Sequence, residues 1–279
     1  MIRIVSPADM HRFVARAGGG TRGLVATMGA LHAGHEALLQ LARRDNDVTV
    51  LSLFVNPAQF NVPSDYETYP RTIERDLRIA EHHGVDAVYM PTVESMYPPG
   101  FASHVEPATS SVTLEGAGRP GHFRGVTTVV AKLFNAVAPH RAYFGKKDYQ
   151  QLAVIRQMVQ ELDFPVEVVG VETVRDADGL ALSSRNVRLS ASAREDAPVI
   201  HRGLSRVREL HRGGLTSTVR LKEAFDETVA SSSMIRIEYA EIVDARTLTP
   251  IDSCVAPAVM CVAAWYDDVR LIDNVELIP

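Results

Sequence analysis

The amino-acid sequence predicts an α/β fold: a doubly wound parallel sheet followed by a smaller α+β domain. Three observations carry that prediction. Residues 1–175 alternate short apolar runs with longer amphipathic ones, joined by short links; this is the pattern of a parallel sheet with helices on both faces. The run at 48–55, Val-Thr-Val-Leu-Ser-Leu-Phe-Val, is almost continuously apolar, as suits a parallel strand covered on both sides. Beyond residue 175 the texture changes to polar helical stretches followed by strand-like runs. A first domain is expected at 1–175 and a second at 176–279.

The elements follow in order. Met1–Pro7 reads as a strand, Ile2–Val5, and a helix start. A helix is expected at Pro7–Ala17 and a buried strand at Leu24–Thr27. His35–Arg44 is helical, with apolar residues at 37, 38, 41 and 42 forming one stripe. The strand Val48–Val55 comes next, then a helix over Pro70–His83 and a strand at Ala87–Met90. The pattern repeats with a helix at Arg124–Ala138, a strand at Ala142–Phe144, a helix at Lys147–Leu162 and a strand at Val166–Val171. In the second domain, helical stretches at Ser190–Gly213 and Ser217–Ser231 are joined by Gly213-Gly214, with Ser190 as a cap. Strands are expected at Ile237–Val243, Ala258–Ala264 and Val269–Asn274. The sequence contains no internal repeat and no low-complexity segment.

Composition narrows the function class. The chain has 279 residues, 46% hydrophobic and 23% charged, with a net charge of −5. No apolar run approaches the ~20 residues of a membrane span, so no membrane partner is expected. No long basic run is present, which argues against a nucleic-acid partner. The opening does not read as a signal peptide, and two Cys without an export signal suggest a reducing cytoplasm.

One segment stands out. Thr27-Met28-Gly29-Ala30-Leu31-His32-Ala33-Gly34-His35 is a strand-to-helix turn with two glycines and two imidazoles. The glycines let a ligand approach the backbone. The helix N-terminus beyond them offers free N–H groups and partial positive charge, a site for phosphate. His32 and His35, three apart, can face one ligand. The turn lacks both Gly-x-Gly-x-x-Gly and the Walker lysine pattern. A zinc half-site is the other reading of His-x-x-His, but Cys254 and Cys261 lie far off and match no finger spacing.

Four further clusters bear chemistry. Gly145-Lys146-Lys147-Asp148-Tyr149-Gln150-Gln151 repeats the strand–glycine–helix logic, and Lys147, Asp148 and Gln151 share one helical face by spacing. A lysine in a first helical turn opposes the dipole unless an anion is present. Gly179-Leu180-Ala181-Leu182-Ser183-Ser184-Arg185-Asn186 offers hydroxyls, N–H groups and an arginine for phosphate oxygens. The glycine-rich segment at 114–125 carries Glu115, Arg119, His122 and Arg124, and reads as a lid or as a plain surface connection. Arg71 and Asp76 lie on the helix after Pro70; Asp76 reads as a magnesium contact or as a solvated side chain.

Taken in order from Thr27 to about Leu189, these segments closely resemble the pantothenate synthetase family, ATP-dependent ligases that join pantoate to β-alanine. The matching runs are TMGALHxGH at 27–35, FVNPxQF at 54–60, YPRT at 69–72, LEGxxRPGHFRGV at 114–126, FGKKDYQQ at 144–151 and GLALSSRN at 179–186. The resemblance implies a Rossmann-like sheet of nucleotidyltransferase superfamily type, a homodimer, and MgATP as substrate with Mg²⁺ held near Asp76. It implies that Met28, Gly29, Ala30, Leu31, His32, Ala33, Gly34 and His35 cradle ATP, with His35 the proton donor. Gly145, Lys146, Lys147 and Asp148 clamp the nucleotide, Lys147 near its phosphates and Asp148 near the ribose. Val174 packs by the adenine, and Leu182, Ser183, Ser184 and Arg185 close over the phosphates. Gln59 and Gln151 bind pantoate, with Asn56 beside them, and Gln59 also meets β-alanine. Ala26, Ala33, Ala58, Asn61 and Leu182 depart from the family's usual residues; none removes a charged or hydrogen-bonding reactant. A nucleotidyltransferase that stops after the first displacement, and a nucleotide-sensing binding protein, are the rival readings.

Overall fold

The computed structural model describes residues 1–107 and 109–278. Its strands are β1 (Ile2–Ile4), β2 (Arg22–Thr27), β3 (Val48–Leu53), β4 (Ala87–Tyr89), β5 (Arg141–Gly145), β6 (Glu167–Val171), β7 (Arg236–Asp244), β8 (Ala258–Tyr266) and β9 (Val269–Leu277). The helices are α1 (Pro7–Arg16), α2 (Ala33–Asp45), α3 (Pro63–Glu67), α4 (Ile73–His82), α5 (Val93–Met96), α6 (Glu115–Gly118), α7 (His122–Val137), α8 (Tyr149–Glu161), α9 (Ala191–Asp196), α10 (Val199–Arg212) and α11 (Thr218–Val229). Each strand expected from the sequence is present, with ends shifted by up to three residues.

The first six strands form one parallel sheet, in the order β1-β4-β3-β2-β5-β6. The chain runs outward from β2 through β3 and β4 on one side, and through β5 and β6 on the other. The order therefore reverses between β2 and β5, where Val25 lies opposite Tyr143. In an open α/β sheet the ligand crevice forms at such a reversal, beyond the strands' carboxyl ends. The two turns singled out from the sequence, after Thr27 and at Gly145, both leave the sheet at that point.

Burial explains the strands' composition. Leu24, Val25, Val50, Leu51, Ala87 and Val88 have no exposure, because helices cover both faces. On one face Leu24, Val50 and Ala142 pack with α7 and α8; on the other, Val25, Leu51 and Val88 pack with α2 and α4. Helix α7 is buried almost all round, as a helix inside a core must be apolar on every side. Strands β7, β8 and β9 form an antiparallel sheet whose core is shared with α10 and α11. A small cluster of Leu114, Tyr149, Val243, Leu248, Val259 and Cys261 joins that sheet to the glycine-rich segment and α8. Among the described residues no helix is long and apolar enough to cross a membrane.

Three expectations are corrected. The helix expected over 70–83 begins at Ile73, after Pro70, Arg71 and Thr72 run outside it. The helix expected from Lys147 begins at Tyr149, because residues 146–148 form a tighter 3₁₀ turn. The stretch 190–213 is two helices divided at Ala197-Pro198, since a proline cannot donate in a helix interior.

Helix α7 meets the turn after β3 at close range. A Cβ on Gly125 would stand 2.2 Å from the Ala58 carbonyl oxygen, and the Gly125 carbonyl accepts from Asn56 Nδ2 at 3.1 Å. Gly125→Ala should destabilise the fold by about 1–3 kcal/mol through this overlap. Chemical denaturation measures it; an unchanged midpoint would show that the turn and α7 can part without cost.

Candidate active site

The turn after β2 is shaped by one buried carboxylate. Gly29 and Ala30 have positive φ, 85° and 50°, and so reverse the chain sharply. The N–H groups of Ala30 and Leu31 then both point at Asp76 on α4, donating to its two oxygens at 2.9 Å each. Thr72 donates to the same carboxylate at 3.1 Å. Asp76 is 1% exposed.

The turn hands the chain to α2 through the two histidines. His32 is the N-cap: its Nδ1 accepts from the Gly34 N–H at 3.1 Å, while His35 Nδ1 accepts from the His32 N–H at 3.3 Å. This reciprocal pair is a capping box built from imidazoles. An Nδ1 that accepts cannot carry the proton in a neutral ring, so both rings carry it on Nε2. Burial, then repulsion of a second positive charge by His32 and Lys147, lower the pKa of His35 to about 3. Burial and Lys147 also lower that of His32. At neutral pH both are uncharged Nε2–H donors, their rings 4.1 Å apart.

The second turn brings a cation to the same crevice. Lys147 lies in the 3₁₀ turn after β5, its ammonium 3.9 Å from Asp148. Facing it, the loop at 174–185 is closed by a bridge between Arg175 and Ala181. Its far end reaches back to the first domain, where Arg185 pairs with Asp65 at 3.4 Å and Ser184 hydrogen-bonds Tyr69.

Gln59 sits at the end of a short 3₁₀ turn after β3. Its Nε2 donates to Met28 Sδ at 3.0 Å and its Oε1 accepts from Asn56 at 3.1 Å. Its backbone carbonyl accepts from His122 Nδ1 at 2.8 Å and from Arg119 at 3.3 Å. Arg119 also donates to His122 Nε2 at 3.2 Å, so His122 is a neutral Nδ1–H ring. Burial, then Arg119, lower its pKa to about 4. The glycine-rich segment is thus a support for Gln59. It is also a joint between domains: Glu115, 8% exposed, takes Arg270 of β9 through two bonds of 2.7 Å and accepts from Tyr239 at 2.6 Å. Burial alone would raise the pKa of Glu115, but Arg270 and Tyr239 bring it below the ordinary value.

These groups line two cavities. One, of about 220 Å³, is walled by Met28, His32, Gly34, His35, Asn56, Gln59, Gly145, Lys147, Asp148, Gln151, Val174 and Leu182–Arg185, with Phe54, Val126, Val129, Val130 and Leu133 as its apolar side. The other, of about 770 Å³, lies between the two domains. Lys147, Asp148, Gln151, Ser183 and Arg185 line both. One crevice therefore holds two neutral imidazoles, an ammonium, a guanidinium and three side-chain amides.

A profile of the family described as pantoate-beta-alanine ligase matches residues 3–276. The chain belongs to that family. The pantothenate synthetase of Moorella thermoacetica is 48% identical over 277 residues, covering 99% of this chain and 98% of the relative. The crystal structure of pantothenate synthetase from Thermus thermophilus superposes with a TM-score of 0.95 at 48% identity, covering 100% of both chains. The pantoate-beta-alanine ligase of Francisella tularensis, complexed with beta-gamma ATP and beta-alanine, gives a TM-score of 0.79 at 33% identity, covering 99% and 97%. The match extends through the second domain past Leu189, where the quoted motifs end.

Within this pantoate–β-alanine ligase fold, several expected site residues make structural contacts. Asp76, expected at magnesium, has both oxygens engaged by the turn and is buried. Lys146, expected on ATP, lines neither cavity; its ammonium pairs with Glu172 at 2.5 Å and Glu276 at 2.7 Å. Gly29, Ala30, Leu31 and Ala33 are also absent from the cavity walls; Leu31 is core and the others shape the turn. Asn56, expected on substrate, directs its amide to Gln59 and Gly125 and its carbonyl to Ala58 and Tyr97, so it positions Gln59. His35, expected to donate a proton, is poised as a neutral hydrogen-bond donor. Arg270, Asp273 and Asn274 were not singled out from the sequence, because polar residues on a strand carry no local sign of a distant partner.

The depressed histidines set a pH test. The unfolded chain takes up protons below about pH 6.5 where folded His35 and His122 do not, so stability falls as pH drops from about 6.5 toward 4. Their Cε1–H resonances in the unliganded protein should show no titration between about pH 8 and pH 5. A midpoint for His35 near the ordinary value would contradict the capping-box tautomer.

Proposed function

We propose that this member of the pantoate–β-alanine ligase family condenses pantoate with β-alanine, using ATP, through pantoyl adenylate. The observation that carries it is the shared crevice: phosphate-facing donors, His32, His35, Lys147 and Arg185, stand on one cavity with the amides of Gln59 and Gln151. In the first displacement a pantoate carboxylate oxygen attacks the α-phosphorus and the bond to pyrophosphate breaks. In the second, the β-alanine nitrogen attacks the adenylate carbonyl carbon, AMP leaves, and the amine loses a proton to solvent.

The residues suit these steps. Charge builds on phosphate oxygens, and the Nε2–H groups, Lys147 and Arg185 are preset donors for it. Pantoate carries two methyl groups and two hydroxyls; the cavity sets Phe54, Val126, Val129 and Val130 beside the glutamine amides. Gln151 makes no other side-chain hydrogen bond among the described residues, so its amide is free for a ligand. Val174 and Leu182 offer the adenine an apolar seat, and Asp148 lies at the ribose end. Mg²⁺, a hard ion that needs few protein carboxylates beside the phosphates, enters with the substrate as MgATP. Catalysis is positioning and charge stabilisation, with no protein nucleophile.

The same reading places the enzyme in the cytoplasm, as a homodimer, in keeping with its two unpaired buried cysteines and with the family resemblance. It divides the chain at 175–176: the parallel sheet ends at Val171, and the second core begins near Leu180.

AMP release should require ATP, pantoate and β-alanine together, and a coupled AMP assay decides it; AMP formed without an amine would refute the ligase. His35→Ala should lower kcat/KM for pyrophosphate release by about 10²-fold, as for one lost electrostatic donor. Gln151→Ala should weaken pantoate binding about ten- to a hundred-fold by calorimetry, with ATP binding nearly unchanged. Equal loss of ATP affinity would move this glutamine into the nucleotide pocket.

A further inference from the structure

Strand β9 touches both segments that carry the phosphate-facing groups. Asn274, 8% exposed, donates through Nδ2 to the main-chain carbonyls of Lys146 and Lys147, each at 2.9 Å. Two residues on, Glu276 holds the Lys146 ammonium. One residue back, Asp273, 5% exposed, takes Arg175 through bonds of 2.6 and 2.8 Å. Arg175 also donates to the Gly179 carbonyl at 3.1 Å, closing the loop that ends in Leu182–Arg185. The two walls of the nucleotide side are therefore fastened to neighbouring residues of one strand.

We propose that Asn274 is a positioning residue for adenylation, holding the 145–148 turn so that the Lys147 ammonium stands at the phosphates. An amide nitrogen has two N–H groups. Directed to successive carbonyls, they fix both the height and the roll of the turn, which one bond would leave free to rotate. The Lys147 side chain is long and flexible, so its reach is set by where its main chain is pinned. Displacing such a group by about 1 Å is enough to cost a large factor in rate. The inference rests on the assignment of Lys147 to the ATP phosphates.

A double-mutant cycle tests it, read by single-turnover pyrophosphate release with ATP and pantoate, with calorimetry for each substrate. N274A should lower kcat/KM for adenylation about tenfold or more, with pantoate affinity and Tm near wild type. In a K147A background the same change should cost nothing further, because the residue acts only through the lysine. N274D, equal in size but presenting a carboxylate to two carbonyl oxygens, should lose at least as much as N274A. An equal loss in both backgrounds, a wild-type rate for N274A, or a loss confined to Tm would each overturn the proposal. A wild-type rate for K147A would instead refute the assignment of Lys147, whatever N274A does, and take the proposal with it.

Discussion

Two successive N–H groups can face one carboxylate only where the chain turns sharply, and Asp76 imposes that constraint on Ala30 and Leu31. A buried carboxylate is tolerated only when its lost hydration is replaced. Here the replacement comes from those two amides and the Thr72 hydroxyl. In return, Ala30 is held at positive φ, where an alanine is disfavoured. The consequence propagates along the chain. The turn delivers His32 to the first position before α2, His32 caps the helix, and its N–H fixes the tautomer of His35. A side chain from another helix, far beyond His35 in the chain, thereby decides which nitrogen faces the crevice.

The electrostatics of the crevice follow from that arrangement. A helix N-terminus, Lys147 and Arg185 converge there, and burial together with Lys147 keeps the imidazoles neutral. The Lys147 charge, which adds to burial in lowering their pKa values, favours an anion, and a bound polyphosphate would act on both rings in the opposite sense to that charge. The site is thus complementary to negative charge before any ligand arrives. A zinc half-site would require both rings to turn acceptor nitrogens outward. Each instead commits its Nδ1 to a backbone N–H and presents Nε2–H.

The parallel sheet was legible because its strands are apolar throughout, a consequence of helices on both faces. Helices α1, α2, α7 and α8 were legible because each runs long enough to show a period. Helices α3, α5 and α6 span five, four and four residues, too short for any periodicity, and they passed as loop. His32, His35, Lys147, Gln59 and Gln151 stood out because they lie in, or in the first turn after, the connections that leave the sheet's carboxyl edge, where ligands bind in such folds. The structural bonds of Asp76 and Asn56 could not be read from the sequence, for one shared reason. Their polar atoms are consumed by partners distant in sequence, such as Leu31 and Gly125, and nothing local distinguishes a consumed amide or carboxylate from a free one.

The second domain shows why the crevice cannot be derived from the parallel sheet alone. A three-stranded sheet becomes stable only when its apolar face is covered, and α10 and α11 supply that cover. Its contacts with the first domain combine the apolar cluster around Tyr149 and Val259 with buried polar pairs. Arg270 is bonded at once to Glu115 and Glu238, and Glu115 also to Tyr239. Buried ion pairs contribute little net stability, because desolvation offsets the attraction, but breaking one leaves an unpaired charge. Such a pair therefore penalises misplacement more than it rewards contact. Because Glu115 lies on the segment whose Arg119 and His122 hold Gln59, fixing Arg270 on Glu115 fixes the register between the amide wall of the cavity and β9. Because β9 also carries the partners of Arg175, Lys146 and Lys147, that register reaches the phosphate wall. The spacing between the two halves of the site thus depends on an ion pair that lines the larger cavity and not the smaller one.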